Sequence, residues 1–204
     1  MFGRRFDLFR LFGFHVQADA SWLILAFLIA WSLATGYFPY QYEYLSPFQY
    51  WGLGTLGAIG LFGSLIFHEL SHSLIARRFG IPMRGITLFI FGGVAHMEDE
   101  PPTPKSEFVM AIAGPLASLG LAAVCYAAFQ GGMATGWSDP VNGLLGYLVF
   151  TNLVLAMFNM VPAFPLDGGR VFRSALWAWK DDLRWPTQLA AGGGTGCSIL
   201  LRTW

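Results

Sequence analysis

Four long apolar runs constrain this 204-residue chain more than any other feature. They cover about residues 20–36, 51–76, 107–130 and 141–162. A helix needs about 20 apolar residues to cross the hydrocarbon core of a bilayer. Because lipid offers no hydrogen bonds, such runs must become helices or strands of a closed barrel. Charged residues make up 12% of the chain and hydrophobic ones 55%, against roughly 25% charged in a soluble domain. An integral membrane protein is therefore expected, in contact with the lipid bilayer, and a soluble binding module is excluded. A fifth apolar stretch, about residues 189–201, is too short and glycine-rich to read as a full span.

The formal net charge is zero and no basic stripe is present, so no nucleic-acid partner is expected. Cys125 and Cys197 have no metal-ligand spacing and read as packing residues. The opening "MFGRRFDLFRLFGFHVQADA" lacks the form of a cleavable signal peptide.

Lysine and arginine set the expected direction of the spans. Arg4, Arg5 and Arg10 precede the first run; Arg77, Arg78, Arg84 and Lys105 lie between the second and third; Arg170, Arg173, Lys180 and Arg184 follow the fourth. The intervening loops at 37–50 and 131–140 have none. By the positive-inside tendency the N-terminus and all these basic residues face the cytoplasm, most simply in a prokaryotic cell membrane.

Within the second run stands "HELSH", with His68 and His72 four residues apart and so on one helical face. Ionisable groups inside a span are costly and mark function by default. H-E-x-x-H on a helix is the zinc-hydrolase pattern, in which both histidines bind the ion and the glutamate, here Glu69, is the general base. Catalytic zinc takes three protein ligands. The best source for the third is "NMVPAFPLDGGR", where Pro162 and Pro165 interrupt the helix, Gly168 and Gly169 permit close backbone approach, and Asp167 is the only carboxylate between residues 141 and 180. The expected topology brings Asp167 to the same membrane depth as the histidines, roughly 7–14 Å inside the cytoplasmic boundary at about 1.5 Å per residue.

After Gly80 and Pro82, "GITLFIFGGVAHM" is rich in β-branched and aromatic residues and suits short strands. The expected fold class is thus an all-α polytopic membrane protein of about four to six transmembrane helices, with a short β-hairpin or re-entrant segment after the second helix.

"HELSH" together with "NMVPAFPLDGGR" resembles the site-2 protease family of intramembrane zinc metalloproteases, over about residues 20–173. The resemblance implies one zinc ion held by His68, His72 and Asp167, with Glu69 as catalytic base. It implies a role for Asn159 in stabilising the oxyanion or orienting substrate, with an interhelical amide bond as the plain alternative. Asn152, two turns up the same face, stays open between these two readings. Gly92, Gly93, Val94 and Ala95 match a family segment beside the active site, whose open edge would pair with an unwound substrate; a hairpin that merely packs is the alternative. His96 is not expected to be a ligand. "AIAGPLASLGLAA" matches the family's A-G-P, and Ala113, Gly114, Ala117 and Ser118, like Gly54, Gly57, Gly60 and Gly63, read as packing rather than chemistry.

The expected activity is hydrolysis of peptide bonds in or near transmembrane helices of a membrane-protein or peptide substrate. The rival is a non-catalytic zinc-binding scaffold or a metal transporter. Residues 1–178 read as one protease core and 179–204 as a C-terminal segment, a truncated last helix or a short natural form, with no room in the outer loops for a PDZ-like insertion. No pattern encodes a regulatory partner, a homo-oligomer or the substrate's identity.

Overall fold

A computed structural model describes residues 5–89, 92–97 and 101–180. Strand β1 (Arg5–Leu11) pairs antiparallel with β2 (Phe14–Asp19), which runs without a loop into α1 (Ala20–Ser32). The Asp19 carboxylate caps that helix by accepting from the Ser21 N–H at 2.9 Å. A π-helical turn (Leu33–Tyr37) and the short α2 (Phe38–Gln41) continue α1, so that Ala20–Gln41 forms one helix long enough to cross a membrane.

The other three such helices are α3 (Pro47–Arg78), α4 (Pro104–Thr135) and α5 (Asp139–Asn159). α3 and α4 open alike, with proline at the first helical position and reciprocal capping by Ser46 with Gln49 and Thr103 with Ser106. α3 ends where Gly80 takes φ +74°, with the Ile81 N–H bonded back to the Ala76 carbonyl. All four expected spans are therefore present. α5 stops at Asn159 rather than continuing to Pro162, because Val161 precedes a proline and is pushed out of the helical region. A last helix, α6 (Asp167–Lys180), follows a seven-residue bend.

The expected strands after the second span are β3 (Met83–Phe89) and β4 (Gly92–Met97), an antiparallel pair. They are half of a larger sheet, of order β1-β2-β3-β4, in which β2 and β3 are parallel. Parallel neighbours need a crossover, and here the crossover is made of two membrane-length helices. The N-terminal hairpin was not expected. Phe14, Val16 and Ala18 on β2 alternate inward and pack with Leu70 of α3, flanked by Ile66 and Leu74. The register shift between Asp7 and Phe9 breaks the corresponding alternation in β1.

Arg77 fixes the hairpin to the end of α3. It donates to the Phe12 carbonyl at 2.7 Å and lies 5.0 Å from the centre of the Phe14 ring. The glycine row on α3 packs as expected at three positions, Gly54 against Ala30, Gly57 against Leu33 and Tyr147, and Gly60 against Leu148, while Gly63 faces open space. Apart from residues 179 and 180, the C-terminal segment, with the fifth apolar stretch and Cys197, lies outside the described residues.

Candidate metal centre

His68 and His72 are both buried, at 2% and 7% exposure, on the side of α3 that faces α4 and α6. Their Nε2 atoms converge on one oxygen of Asp167, Oδ2, at 3.0 and 3.2 Å. The three candidate ligand atoms lie within 4.8 Å of one another, and no other such group of His, Cys, Asp or Glu occurs among the described residues.

The opposite ring nitrogens are held from α4. His72 Nδ1 is 2.7 Å from the Met110 carbonyl oxygen, and His68 Nδ1 is 2.9 Å from Ser118 Oγ. A carbonyl oxygen only accepts, so His72 must donate from Nδ1, and in the neutral ring Nε2 is then a bare lone pair. That lone pair faces a carboxylate oxygen in a geometry that makes no hydrogen bond. An ionised Asp167 carboxylate likewise offers only acceptors. Two acceptors facing each other in a largely buried site call for a cation between them. The Ser118 hydroxyl can accept from Nδ1 as readily as donate to it, so it leaves His68 Nε2 able to present a lone pair as well. Two imidazole nitrogens and a carboxylate oxygen are a donor set suited to zinc, with a coordination position left open.

Asp167 reaches this point because the chain between α5 and α6 folds back tightly. The Ala163 N–H bonds to the Val161 carbonyl at 2.8 Å, and the Leu166 N–H to the Ala163 carbonyl at 2.9 Å. A Cβ on Gly168 would stand 2.5 Å from the Val161 carbonyl oxygen, and one on Gly169 2.7 Å from the Ala163 carbonyl carbon. Both glycines after Asp167 are there for close approach.

Glu69 is partly buried, and its carboxyl interacts electrostatically with His72, Asp167 and Arg170. Asn159 ends α5 with its Nδ2 donating to the Leu155 carbonyl of its own helix at 2.9 Å. Asn152 is fully buried and bridges α5 to α3, donating to Ser64 Oγ at 2.9 Å and to the Leu148 carbonyl at 2.8 Å. Gly92, Gly93, Val94 and Ala95 lie on β4, in register with Phe89, Leu88, Thr87 and Ile86, at the end of the sheet. His96 pairs in register with Gly85 on the same strand.

Two residues read as packing lie against the histidines instead. Ser118 bonds to His68, and a Cβ on Gly114 would stand 2.6 Å from His68 Nε2 and closer still to His72 Nε2. Their small size does permit close helix approach, but what approaches is the pair of imidazoles. Glu107, Met110, Gly114 and Ser118 recur at helical spacing on α4, and each touches the site or the helix that carries Asp167. The sequence carried one signal for Glu107, a carboxylate at the start of an apolar run, and nothing in it named Arg170 and Arg173 as the partners.

Comparison with known proteins gives the family of the chain. The model of peptidase family M50 matches residues 56–136 and 133–193. Rip3 of Mycobacterium tuberculosis, named a zinc metalloprotease, is 41% identical over 175 residues, covering 85% of this chain and 44% of that protein. The zinc metalloprotease MJ0392 of Methanocaldococcus jannaschii is 36% identical over 145 residues, covering 69% and 40%. The chain thus spans less than half the length of these two relatives. The solved structure of a site-2 protease from Methanocaldococcus jannaschii superposes with a TM-score of 0.67 at 30% identity, covering 97% of this chain and 82% of that one. Four membrane-length helices, the family match and this likeness in fold lead to one conclusion: the chain is an integral membrane protein of peptidase family M50, the site-2 protease family.

Proposed function

We propose that this chain is the catalytic core, residues 1–178, of an intramembrane protease that binds one zinc ion through His68, His72 and Asp167. It hydrolyses peptide bonds in or near the transmembrane helices of other membrane proteins, as in regulated intramembrane proteolysis. The observation that carries the reading is the meeting of both Nε2 atoms with Asp167 Oδ2 at 3.0 and 3.2 Å.

Bound zinc supplies a Lewis acid that acidifies water and polarises a carbonyl. Glu69 takes the proton from the attacking water, whose oxygen bonds to the scissile carbonyl carbon. As the C–N bond breaks, Glu69 returns that proton to the leaving nitrogen. Asn159 uses one of its two amide hydrogens on Leu155; the second is left to donate to the developing oxyanion. Gly92–Ala95 at the sheet's end offer backbone groups to a substrate segment that has unwound, because a helical segment keeps its carbonyls in internal hydrogen bonds. The distribution of lysine and arginine supports a cytoplasmic N-terminus and a site opening to the cytoplasm; the prokaryotic sources of the relatives support a prokaryotic cell membrane.

The test is cleavage of a single-span substrate in liposomes by the wild type and Glu69→Gln, with zinc measured in both. About one zinc in each, with cleavage by the wild type alone, supports the proposal. Zinc in both with no cleavage of several substrates favours a scaffold or a transporter, and no zinc in either overturns the assignment of the ligands.

A further inference from the structure

One buried group outside the donor set is tied to it from the far side. Glu107 on α4 is completely buried. Its Oε1 accepts from Arg173 Nε at 2.8 Å and from Arg173 Nη2, and Arg170 Nε lies 3.8 Å from the same oxygen. Both arginines belong to α6, the helix whose first residue is Asp167. Arg173 also lies 5.6 Å from the centre of the Phe164 ring, which ties it to the bend leading into that helix.

A buried ion pair is weak evidence for stability, since desolvating both charges offsets most of their attraction. Here an unbonded oxygen adds to that cost. Glu107 Oε2 is buried and has no hydrogen-bond partner among the described residues. What the pair holds in place is therefore the better guide to its role. Arg170 and Arg173 stand three and six residues along α6 from Asp167, about 4.5 and 9 Å at 1.5 Å per residue. A helix that short moves as a rod, so a displacement at Arg173 is passed to Asp167 nearly undiminished. Productive metal-site geometry tolerates only about 0.5 Å.

The same face of α4 bonds His72 through the Met110 carbonyl and His68 through Ser118. We propose that Glu107 is a positioning residue for the metal centre: by holding Arg173 and Arg170 it sets α6 against α4 and so aims Asp167 at the two imidazoles. All three ligands are then referenced to one helix that supplies none of them. This inference rests on the zinc reading above.

The experiment is a cobalt(II) titration of the whole chain in detergent after removal of bound metal, following visible absorption, with helix content and thermal unfolding measured on the same samples. The variants are Glu107→Gln and the double variant Glu107→Gln with Arg173→Gln, which removes both charges of the closest pair; His68→Ala is the control for a lost ligand. We expect both Glu107 variants to remain helical, to bind cobalt about 10- to 100-fold more weakly, the usual cost of disturbing groups that orient metal ligands, and to show shifted absorption bands. Wild-type affinity and bands in the variants, whatever their unfolding temperature, would overturn the proposal and leave Glu107 a structural residue. If Glu107→Gln alone does not fold, the double variant decides by the same criteria. If the wild type takes up no cobalt, or His68→Ala takes up as much, the zinc reading fails first and this inference with it.

Discussion

His72 Nδ1 stands 2.7 Å from the carbonyl oxygen of Met110, a bond from one membrane-length helix to the next. Because the carbonyl can only accept, this contact leaves the other ring nitrogen as a lone pair aimed at Asp167. Backbone is an unusually secure partner for that purpose: no substitution at position 110 removes the oxygen. The neutral imidazole is thereby oriented before any ion arrives.

Metal removal should loosen this centre measurably. Chelation leaves the Asp167 carboxylate against two imidazoles with no cation between them, so the thermal unfolding midpoint in detergent should fall and be restored by zinc. At a free zinc concentration about 100 times its dissociation constant, the linkage contributes about 2.7 kcal/mol. Magnesium, which prefers oxygen ligands in octahedral geometry, should not restore it. A midpoint indifferent to chelator and zinc alike would argue against an ion at this site.

Ser118→Ala should weaken zinc binding without unfolding the chain. It removes the partner of His68 Nδ1, fully buried on α4, and leaves a ring nitrogen unsatisfied at a cost of about 1–3 kcal/mol. The expected loss of zinc affinity is about 10- to 100-fold, read by competition with a chromophoric chelator. Unchanged affinity would mean that helix packing alone orients His68.

Gly114→Ala separates helix stability from site integrity. Alanine is the better helix former by about 1 kcal/mol, so α4 itself should not suffer. The added methyl would nevertheless stand 2.6 Å from His68 Nε2, where the ring cannot yield without leaving Asp167. Zinc content and cleavage should both fall by at least tenfold, the lower end of the usual effect of displaced ligands, while circular dichroism stays helical. A variant with full zinc and full activity would show that the imidazoles can move aside.

Arg77→Met should act on the N-terminal hairpin and not on the metal. The substitution keeps an apolar stem but loses the bond to the Phe12 carbonyl and the cation over Phe14, together about 1–3 kcal/mol. Hydrogen exchange in residues 5–19 should accelerate, with zinc content unchanged. If exchange there stays slow, the packing of Phe14, Val16 and Ala18 on Leu70 holds the hairpin by itself.

Much of the fold was legible because membrane insertion writes itself into composition. Each span announces its presence and rough position, though not its ends, and loop charge alternates with crossings, so four spans and a relative order follow without knowledge of any contact. The hairpin at residues 5–19 was not legible in that way. Its inward residues on β2 alternate cleanly, but the shift between Asp7 and Phe9 interrupts the pattern, and arginines on an amphipathic strand look the same as arginines in a loop.

For the site, the sequence by itself determined which chemistry is available: two histidines one turn apart with a glutamate between them, and one distant aspartate flanked by prolines and glycines. Spacing along a helix is local geometry, and 1.5 Å per residue carries it from sequence to space without help. Only the tertiary structure decided that Asp167 arrives at 3.0 Å from a residue 99 positions earlier, that Ser118 and Met110 take the far ring nitrogens, and that Glu107 holds the helix behind the aspartate. Those relations depend on how α4 turns and packs between α3 and α6. A row of small residues in an apolar run is equally suited to pressing against lipid, another helix or a pair of imidazoles. What fills the space beside Gly114 is a property of the assembled helices, because glycine contributes no side chain of its own to say what its neighbour must be.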